Sequence, residues 1–500
     1  MKPTEVVVQT TARPEYPERP PFHPDRAYPE HRGAPVGDEP NLVFDAVRSC
    51  FRRAGLDAAR YGTPAWNPLG GLIRPGETVL LKPNMVNARH PRDPDGWRYT
   101  VTHGSVIRAV ADYVWIALSG RGTVIVADAP ETYASFEEIV SRIGLAGIRD
   151  HYRGRGLDFR IIDLRQEQWT ERGGVVVERR RVGGDPNGCV AFDLADHSEF
   201  VGHTGAGRYY GADYDTAEVN RHHTNGRHEY LIAGTAILAD VVFSLPKLKT
   251  HRKAGITVSL KNLVGINGDK NWLPHHTEGS PADGGDEHPA PTPAHRLERR
   301  LLRIVRTISL RVPVAGPWFH QKARSAGERV FGKTEEVIRG GNWWGNDTIW
   351  RMCLDLNKIV LYGNPDGTLR PPALGQQKRH FALVDAVIAG EGRGPTNPDP
   401  VHAGVIVFGI HPASVDACCA YLMGYDPDRI PIVRQAFRCR EHPLTDWGWR
   451  EITVRSDRPV WNGTLGALSF EHSLRFEPHY GWRGHIEATP RKTHVVAHGG

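Results

Sequence analysis

Short apolar runs alternate with amphipathic segments through much of this 500-residue chain. Apolar runs of strand length lie at 78–81, 123–127, 157–164, 241–245, 381–384 and 405–410, and helical spacing marks 41–60, 105–118 and 136–143. Buried strands separated by helices are typical of parallel α/β folds. We therefore predict an α/β fold, a mainly parallel sheet flanked by helices, with long polar insertions.

Changes in composition along the chain predict three parts. Residues 1–40 are rich in Pro and charge, which predicts an extended or partly disordered N-terminal arm. Residues 41–440 form a single α/β domain, with insertions at about 166–230 and 266–350. Residues 441–500 are a C-terminal extension whose role the sequence does not indicate.

Polar residues follow the predicted strands. In parallel sheets ligands gather at the carboxyl ends of the strands, so these residues indicate a site. Asp or Asn in this position also commonly caps the next helix, which leaves a structural alternative open. The residues concerned are Lys82 and Asn84, Asp128, Lys247 and Lys249, Asp385, and His411.

The run 244–265 combines a buried strand with several lysines. Lysines are costly to bury unless an anion meets them, so Lys247, Lys249 and Lys261, together with Lys82, predict a positive cradle. Lysine suits phosphate or carboxylate. The alternative is pairing with local carboxylates, of which Asp240 is the nearest in sequence. The predicted substrate-binding residues are Lys82, Asn84, His103, Lys247, Lys249, Lys261 and Asn262.

Four residues are the candidates for catalysis. His251 follows the lysines at a strand end and titrates near neutrality, which suits a general acid or base. Asp128 or Asp385 would orient it or hold a metal, and Glu391 lies in a glycine-rich segment at 390–404. His103 is a second acid–base candidate, with a helix-capping role as its alternative.

Two polar loops are rich in histidine and carboxylate, the side chains that bind divalent metals. A divalent metal is one hypothesis for them, and simple solvation is the other; no metal ligand is assigned. The cysteines form no CxxC pair, so an iron–sulfur cluster is not expected. The loop residues are His203, Asp213, Asp215, His222, His223 and His228, then His275, His276, Glu278, Asp283, Asp286, Glu287 and His288.

Several of these motifs together resemble the domain-of-unknown-function 362 family, from about residue 75 to 435. The quoted segments are VLLKPNMV, VTHGSVIRAVADYV, VIVADAP, ILADVVFSLPKLKTHRKAGITVSLKNLVG, LVDAVIAGEGRGP and HPASVDACCAYLMGYDP. The resemblance implies one α/β unit whose motifs converge, and it adds Asp416 to the candidate residues. The ferredoxin-like module of some relatives is missing, and the resemblance implies no reaction.

The net charge of +6 is mild for this length and argues against a nucleic-acid binder. We predict a cytoplasmic enzyme that acts on an anionic small metabolite, phosphorylated or carboxylated, with its reaction class, cofactors and oligomeric state left open. A non-catalytic protein that binds such a metabolite is the first alternative. The second is a peripheral membrane protein that docks through a basic amphipathic helix at 296–312.

Overall fold

The structure, a computed structural model, describes residues 1–172, 175–211, 215–290, 338, 340–376, 378–439 and 441–488. The predicted helix at 296–312 and the loop residue Asp213 lie outside these residues. In the described parts the helices are α1 (Leu42–Arg53), α2 (Trp97–Thr100), α3 (Gly104–Leu118), α4 (Phe136–Arg142), α5 (Leu145–Arg153), α6 (Thr216–His222), α7 (Gly234–Leu238), α8 (Ser259–Asn262), α9 (Ile349–Tyr362), α10 (Pro412–Met423) and α11 (Pro431–Ala436).

The strands of the main sheet are β1 (Glu5–Thr10), β2 (Thr78–Pro83), β3 (Thr123–Asp128), β4 (Asp158–Asp163), β10 (Val241–Leu245), β11 (Lys247–His251), β12 (Gly255–Thr257), β14 (Arg379–Glu391), β15 (Asp399–Val401), β16 (Val405–Gly409), β17 (Thr453–Ser456) and β18 (Gly463–Thr464). Their order is β18-β17-β1-β16-β14-β10-β2-β3-β4. Strands β14, β10, β2, β3 and β4 are all parallel to one another. The predicted fold class is therefore confirmed.

Both faces of this sheet are covered by helices, which explains why its strands are almost continuously apolar. Successive residues of a strand point to opposite faces. Val79 and Leu81 accordingly join the core beneath α1, α3 and α5, whereas Leu80 joins the core that contains α9 and α10. The strands predicted at 78–81, 123–127, 157–164 and 241–245 and the helices predicted at 105–118 and 136–143 match the observed elements to within a few residues. The helix predicted at 41–60 ends earlier, at Arg53.

Two strand predictions need correction. The strand predicted at 381–384 continues through Asp385 to Glu391, because its second half pairs with β11 on one side and β15 on the other. Asp385 is therefore in the middle of a strand. Strand β16 is antiparallel to β14, with Gly409 beside Ala382, so His411 lies at the opposite edge of the sheet from the other candidates.

The terminal segments belong to the same sheet. Strand β1 lies between β16 and β17, so residues 5–10 and 453–456 pair side by side. After β1 the chain buries Tyr16 and Phe22. Residues 1–40 thus pack on the domain over part of their length, and the C-terminal extension adds two strands to its edge.

The insertions form small sheets apart from the main one. Strands β5 (Glu167–Arg172) and β6 (Val175–Arg181) pair together, as do β7 (Cys189–Asp193) with β9 (Glu229–Ala233) and β8 (Tyr209–Tyr210) with β13 (His276–Thr277). The pairing of β8 with β13 joins the two insertions that the sequence predicts separately. None of the described helices combines the length and the apolar character that crossing a lipid bilayer requires.

Candidate functional site

The first lysine of the predicted cradle, Lys82, is fully buried and paired. Its Nζ lies 2.8 Å from Oδ1 of Asp128, on the neighbouring parallel strand, and also donates to the carbonyl of Pro83 at 2.7 Å. Asp128 accepts the backbone N–H of Met85 through Oδ2 at 2.6 Å. Gly265 lies against this pair, and a Cβ there would stand 1.8 Å from Oδ1 of Asp128. The arrangement leaves no room for a ligand at Lys82.

A second buried ion pair joins Lys247 to Asp385. The Lys247 Nζ lies 2.7 Å from Oδ2 of Asp385, and it also donates to the hydroxyl of Tyr16 at 2.7 Å and to the carbonyl of Arg98 at 2.9 Å. The Tyr16 hydroxyl donates to the other oxygen of Asp385 at 2.6 Å. Burial lowers the pKa of Lys247, and Asp385 opposes this shift. These donors and acceptors satisfy one another without a ligand.

His103 caps helix α3. Its Nδ1 accepts the backbone N–H of Ser105 at 3.2 Å, and its own backbone N–H donates to Asp385 at 2.9 Å. The ring stacks on Tyr16 with centroids 4.0 Å apart. Burial lowers the pKa of His103 well below its usual value. His103 therefore makes the contacts of a helix cap, the alternative to an acid–base role that the sequence left open.

The two amides connect neighbouring segments. Asn262 donates from Nδ2 to the carbonyl of Lys82 at 2.8 Å and to the hydroxyl of Ser244 at 3.0 Å. Its Oδ1 lies 3.5 Å from Nδ2 of Asn84, whose own Oδ1 accepts from Lys249 at 3.3 Å. These bonds hold α8 against β2 and β10.

A different set of cations, here called the basic cluster, consists of Lys249, Arg252, Lys253 and Lys261. It lies on the hairpin β11–β12 and on α8, directly beyond the carboxyl end of β10. Within the described residues, none of the four forms an ion pair with a carboxylate.

Each member of the basic cluster has few partners. Lys249 donates to the carbonyl of Thr100 at 2.5 Å and to Asn84, and Lys253 lies 2.9 Å from Nδ1 of His276. The Nζ of Lys261, a residue only 9% exposed, makes no hydrogen bond to any described residue. The sequence indicated Lys249 and Lys261 but missed the two cations of the hairpin turn.

The electrostatics of the basic cluster favour an incoming anion. Burial lowers the pKa of Lys249 well below its usual value. The charge of Glu131 opposes this shift, whereas the charges of Lys247 and Lys261 add to it. Burial, followed by the charge of Arg252, lowers the pKa of Lys253 to about 7. A bound anion would stabilise the protonated forms, because an opposite charge at close range favours them.

One ring nitrogen of His251 accepts hydrogen bonds from the backbone of the β11–β12 hairpin turn. Its Nδ1 accepts the backbone N–H groups of Lys253 at 3.1 Å and Ala254 at 3.0 Å. Burial and the charge of Lys261 lower the pKa of His251 well below its usual value. A neutral imidazole whose Nδ1 accepts carries its proton on Nε2, so His251 presents a hydrogen-bond donor. None of the described carboxylates hydrogen-bonds to this ring.

Glu131 follows β3 and was missed by sequence reasoning. The Asn87 amide donates to Oε2 of Glu131 at 3.1 Å. Burial raises the pKa of Glu131, whereas the positive charges of Arg252 and Lys249 oppose the shift. The only sequence signal was its position three residues beyond Asp128, at the end of a strand. Glu131 is thus a carboxyl group of raised pKa near the basic cluster.

The C-terminal extension contacts both Glu391 and the β11–β12 hairpin. Glu391 accepts the backbone N–H of Glu477 at 2.7 Å, and burial raises the pKa of its carboxyl group. The indole of Trp482 donates to the carbonyl of Arg252 at 2.8 Å and packs against Gly255. The structure therefore gives Glu391 an anchoring contact and connects the extension to the basic cluster.

The histidine-rich loops divide into two groups. His223 and His228 pack with Phe200 and Tyr230 inside the first insertion. His276, in the second, contacts Lys253 directly and so joins the site. In the portion of the chain that the structure describes, no group of three His, Cys, Asp or Glu side chains is placed to hold a metal ion.

Comparison with known proteins identifies the family of the central segment. A family model described as "Domain of unknown function (DUF362)" matches residues 190–421. The matched stretch is therefore similar to the DUF362 family. The family prediction is thereby confirmed, over a shorter span than the predicted 75–435. This DUF362 segment contains the whole basic cluster and His251, whereas Lys82, Asn84 and Asp128 precede it.

One curated relative is similar to part of the chain. It is the Thylakoid-associated protein sll1697 of Synechocystis sp., 25% identical over 201 residues. The similar region covers 40% of this chain and 42% of that protein. The chain therefore spans less than half the length of this relative.

Proposed function

We propose that the chain is an enzyme that acts on an anionic small metabolite, phosphorylated or carboxylated, which the basic cluster holds. One observation carries the proposal: four neighbouring cations form no ion pair within the described residues. Two of them, Lys249 and Lys261, are buried, and charged groups removed from water are costly unless they are compensated, so a resident anion would relieve this cost. By contrast, the buried lysines Lys82 and Lys247 each have an aspartate that neutralises their charge, Asp128 and Asp385 respectively.

The donors around the basic cluster suit an oxyanion. The side chains of Lys261 and Arg252 donate to no residue that the structure describes, and His251 adds an N–H from Nε2. Charge-assisted hydrogen bonds to phosphate or carboxylate are shorter and stronger than neutral ones. The low exposure of Lys249 and Lys261 strengthens such bonds further, because less water screens them.

Glu131 supports an enzyme over a non-catalytic binding protein. A carboxyl group whose pKa is raised by burial can carry a proton to or from a bound substrate. In this proposal Glu131 takes the acid–base role, while His251 donates a hydrogen bond to the anion. The six cysteines, none of which forms a disulfide, support a reducing cytoplasmic location.

Sulfate titration tests anion binding directly. In isothermal titration calorimetry at constant ionic strength, we expect saturable sulfate binding by the wild type. Replacement Lys261→Gln or Arg252→Gln should weaken binding about tenfold or more, since each removes a charge-assisted hydrogen bond. The matched control is Lys378→Met, because Lys378 is also buried and bonds only carbonyls, those of Ile237 and Ala239, at the other edge of the sheet.

Two outcomes would refute the binding proposal: no saturable sulfate binding by the wild type, or equal affinities for the wild type and both variants. Catalysis needs a separate measurement. After incubation with a mixture of phosphorylated and carboxylated metabolites, mass spectrometry should show one consumed by the wild type but not by Glu131→Gln. The Glu131→Gln variant should still bind sulfate. Turnover that persists in this variant would remove Glu131 from the mechanism.

A further inference from the structure

His275 is held in place by three hydrogen bonds on the second insertion. Its backbone N–H donates to the carbonyl of Tyr210 at 2.7 Å, and its own carbonyl accepts from the amide of Asn346 at 3.0 Å. The ring nitrogen Nδ1 lies 2.9 Å from the carbonyl of Leu273. The backbone and one side of the ring are therefore fixed.

These contacts determine the tautomer of the ring. A carbonyl can only accept, so Nδ1 of His275 must carry a proton to bond Leu273. Burial lowers the pKa of His275 well below its usual value, and the charges of Lys261 and Lys253 lower it further, so the ring is neutral. Its Nε2 is then a lone-pair acceptor, and it has no hydrogen-bond partner within the described residues.

His275 and His251 offer opposite hydrogen-bonding groups beside the same cations. His251 presents an N–H because its Nδ1 accepts from the hairpin turn. His275 presents an acceptor because its Nδ1 donates. The next residue, His276, lies against Lys253, with 2.9 Å between its Nδ1 and the lysine Nζ, and this contact places the segment that carries His275 beside the basic cluster. An anion needs donors alone, so the acceptor at His275 is available to a second kind of group on the same ligand.

We propose that Nε2 of His275 accepts a hydrogen bond from a hydroxyl group of the ligand whose anionic group the basic cluster holds. The ligand class is thereby narrowed to hydroxy-carboxylates and phosphorylated polyols, in which a hydroxyl lies near the charge. This inference rests on the proposed function, and it makes His275 a specificity-determining residue.

Matched ligand pairs provide the test. Calorimetry would compare glycolate with acetate, and lactate with propionate, each pair differing by one hydroxyl. The wild type should prefer the hydroxylated member about three- to tenfold, the range expected for one neutral hydrogen bond. The variant His275→Asn retains an amide N–H that can bond Leu273 but lacks an acceptor at the Nε2 position. It should lose the preference and keep its sulfate affinity.

The variant His275→Gln supplies a rescue, because its longer amide can return an acceptor near the position of Nε2. It should recover part of the hydroxyl preference, and circular dichroism would check that both variants fold. Failure of wild-type sulfate binding would overturn the proposed function itself. Normal sulfate binding without any hydroxyl preference, or with a preference unchanged in His275→Asn, would overturn only the role of His275.

Discussion

At the scale of single residues, the buried lysines differ in whether a carboxylate accompanies them. Lys82 and Lys247 each lie within 2.8 Å of an aspartate, whereas Lys249 and Lys261 have no such partner in the described residues. Sequence reasoning identified all four as unusual because lysine is rarely buried unpaired. It could not separate them, since both aspartates come from distant parts of the chain.

The difference between these lysines predicts opposite effects on stability. Replacement Lys247→Met leaves Asp385 buried without its cation, so the free energy of unfolding should fall by about 3–5 kcal/mol. Replacement Lys261→Met removes an uncompensated charge, and the free energy of unfolding should stay within about 1 kcal/mol or rise. Urea denaturation followed by tryptophan fluorescence would measure both.

A double replacement provides the control for the Lys247 prediction. Removing the charge on both partners in Lys247→Met/Asp385→Asn should cost less than Lys247→Met alone, because no unpaired charge remains. Similar losses for Lys247→Met and Lys261→Met would contradict the division of the lysines into paired and unpaired ones.

At the scale of elements, the strands were easier to predict than the contacts that position the short helices. Strands β2, β3 and β10 are apolar runs covered on both faces, and such runs are visible in sequence. Helix α8 has four residues and depends on Asp416 of α10, which accepts the backbone N–H groups of Ser259 at 2.8 Å and Leu260 at 3.1 Å. Local sequence cannot show a cap supplied from 157 residues away.

This capping carboxyl predicts a pH effect on stability. Burial raises the pKa of Asp416 from 3.8 to about 8, and the two N–H donors only partly oppose this shift. The folded state therefore favours the protonated form. The stabilisation that comes from the protonated Asp416 is therefore fully present below pH 3.8 and is lost as the pH rises towards 8. The free energy of unfolding falls over this range by at most about 1.4 kcal/mol per pH unit.

Replacement Asp416→Asn isolates that contribution because the amide does not ionise. The difference in free energy of unfolding, wild type minus variant, should decrease steadily between pH 5 and pH 8 in urea titrations. The exposed Asp366 is the control, since hydrogen bonds from Thr368 lower its pKa and Asp366→Asn should give a flat difference over this range. A flat difference for Asp416→Asn as well would show that this carboxyl is ionised throughout.

At the scale of the whole molecule, distant segments assemble around the basic cluster. His276, from the second insertion, contacts Lys253, and Trp482, from the C-terminal extension, contacts Arg252. Tyr16, from the N-terminal arm, contacts Lys247 on the same strand as Lys249. The sequence predicted the core sheet and the basic run, because both are local patterns. It could not predict these additions, which depend on tertiary contacts between segments without strong periodicity.

The assembled charges predict how anion affinity depends on pH. Sulfate keeps the same charge between pH 6 and pH 9, so changes in its affinity report on the protein. Burial lowers the pKa of Lys249, Lys253 and Lys261, that of Lys253 to about 7, and each loses positive charge as the pH rises through its lowered pKa. Glu131, whose pKa is raised, gains negative charge in the same direction. Sulfate affinity should therefore fall about tenfold between pH 6 and pH 8.5.

Variants can separate the groups that produce this pH dependence. Asp286, whose pKa burial raises to about 6, also acts on Lys253, so its ionisation would contribute to the acidic end of the curve. Replacement Lys253→Met should weaken sulfate binding at pH 6 and flatten the curve near pH 7, whereas Glu131→Gln should leave that step in place. His251 and His275 stay neutral over the whole range because burial lowers their pKa values well below 6.5. A sulfate affinity that is constant from pH 6 to pH 8.5 in the wild type would mean that these lysines keep their protons, and that the basic cluster is better hydrated than its contacts indicate.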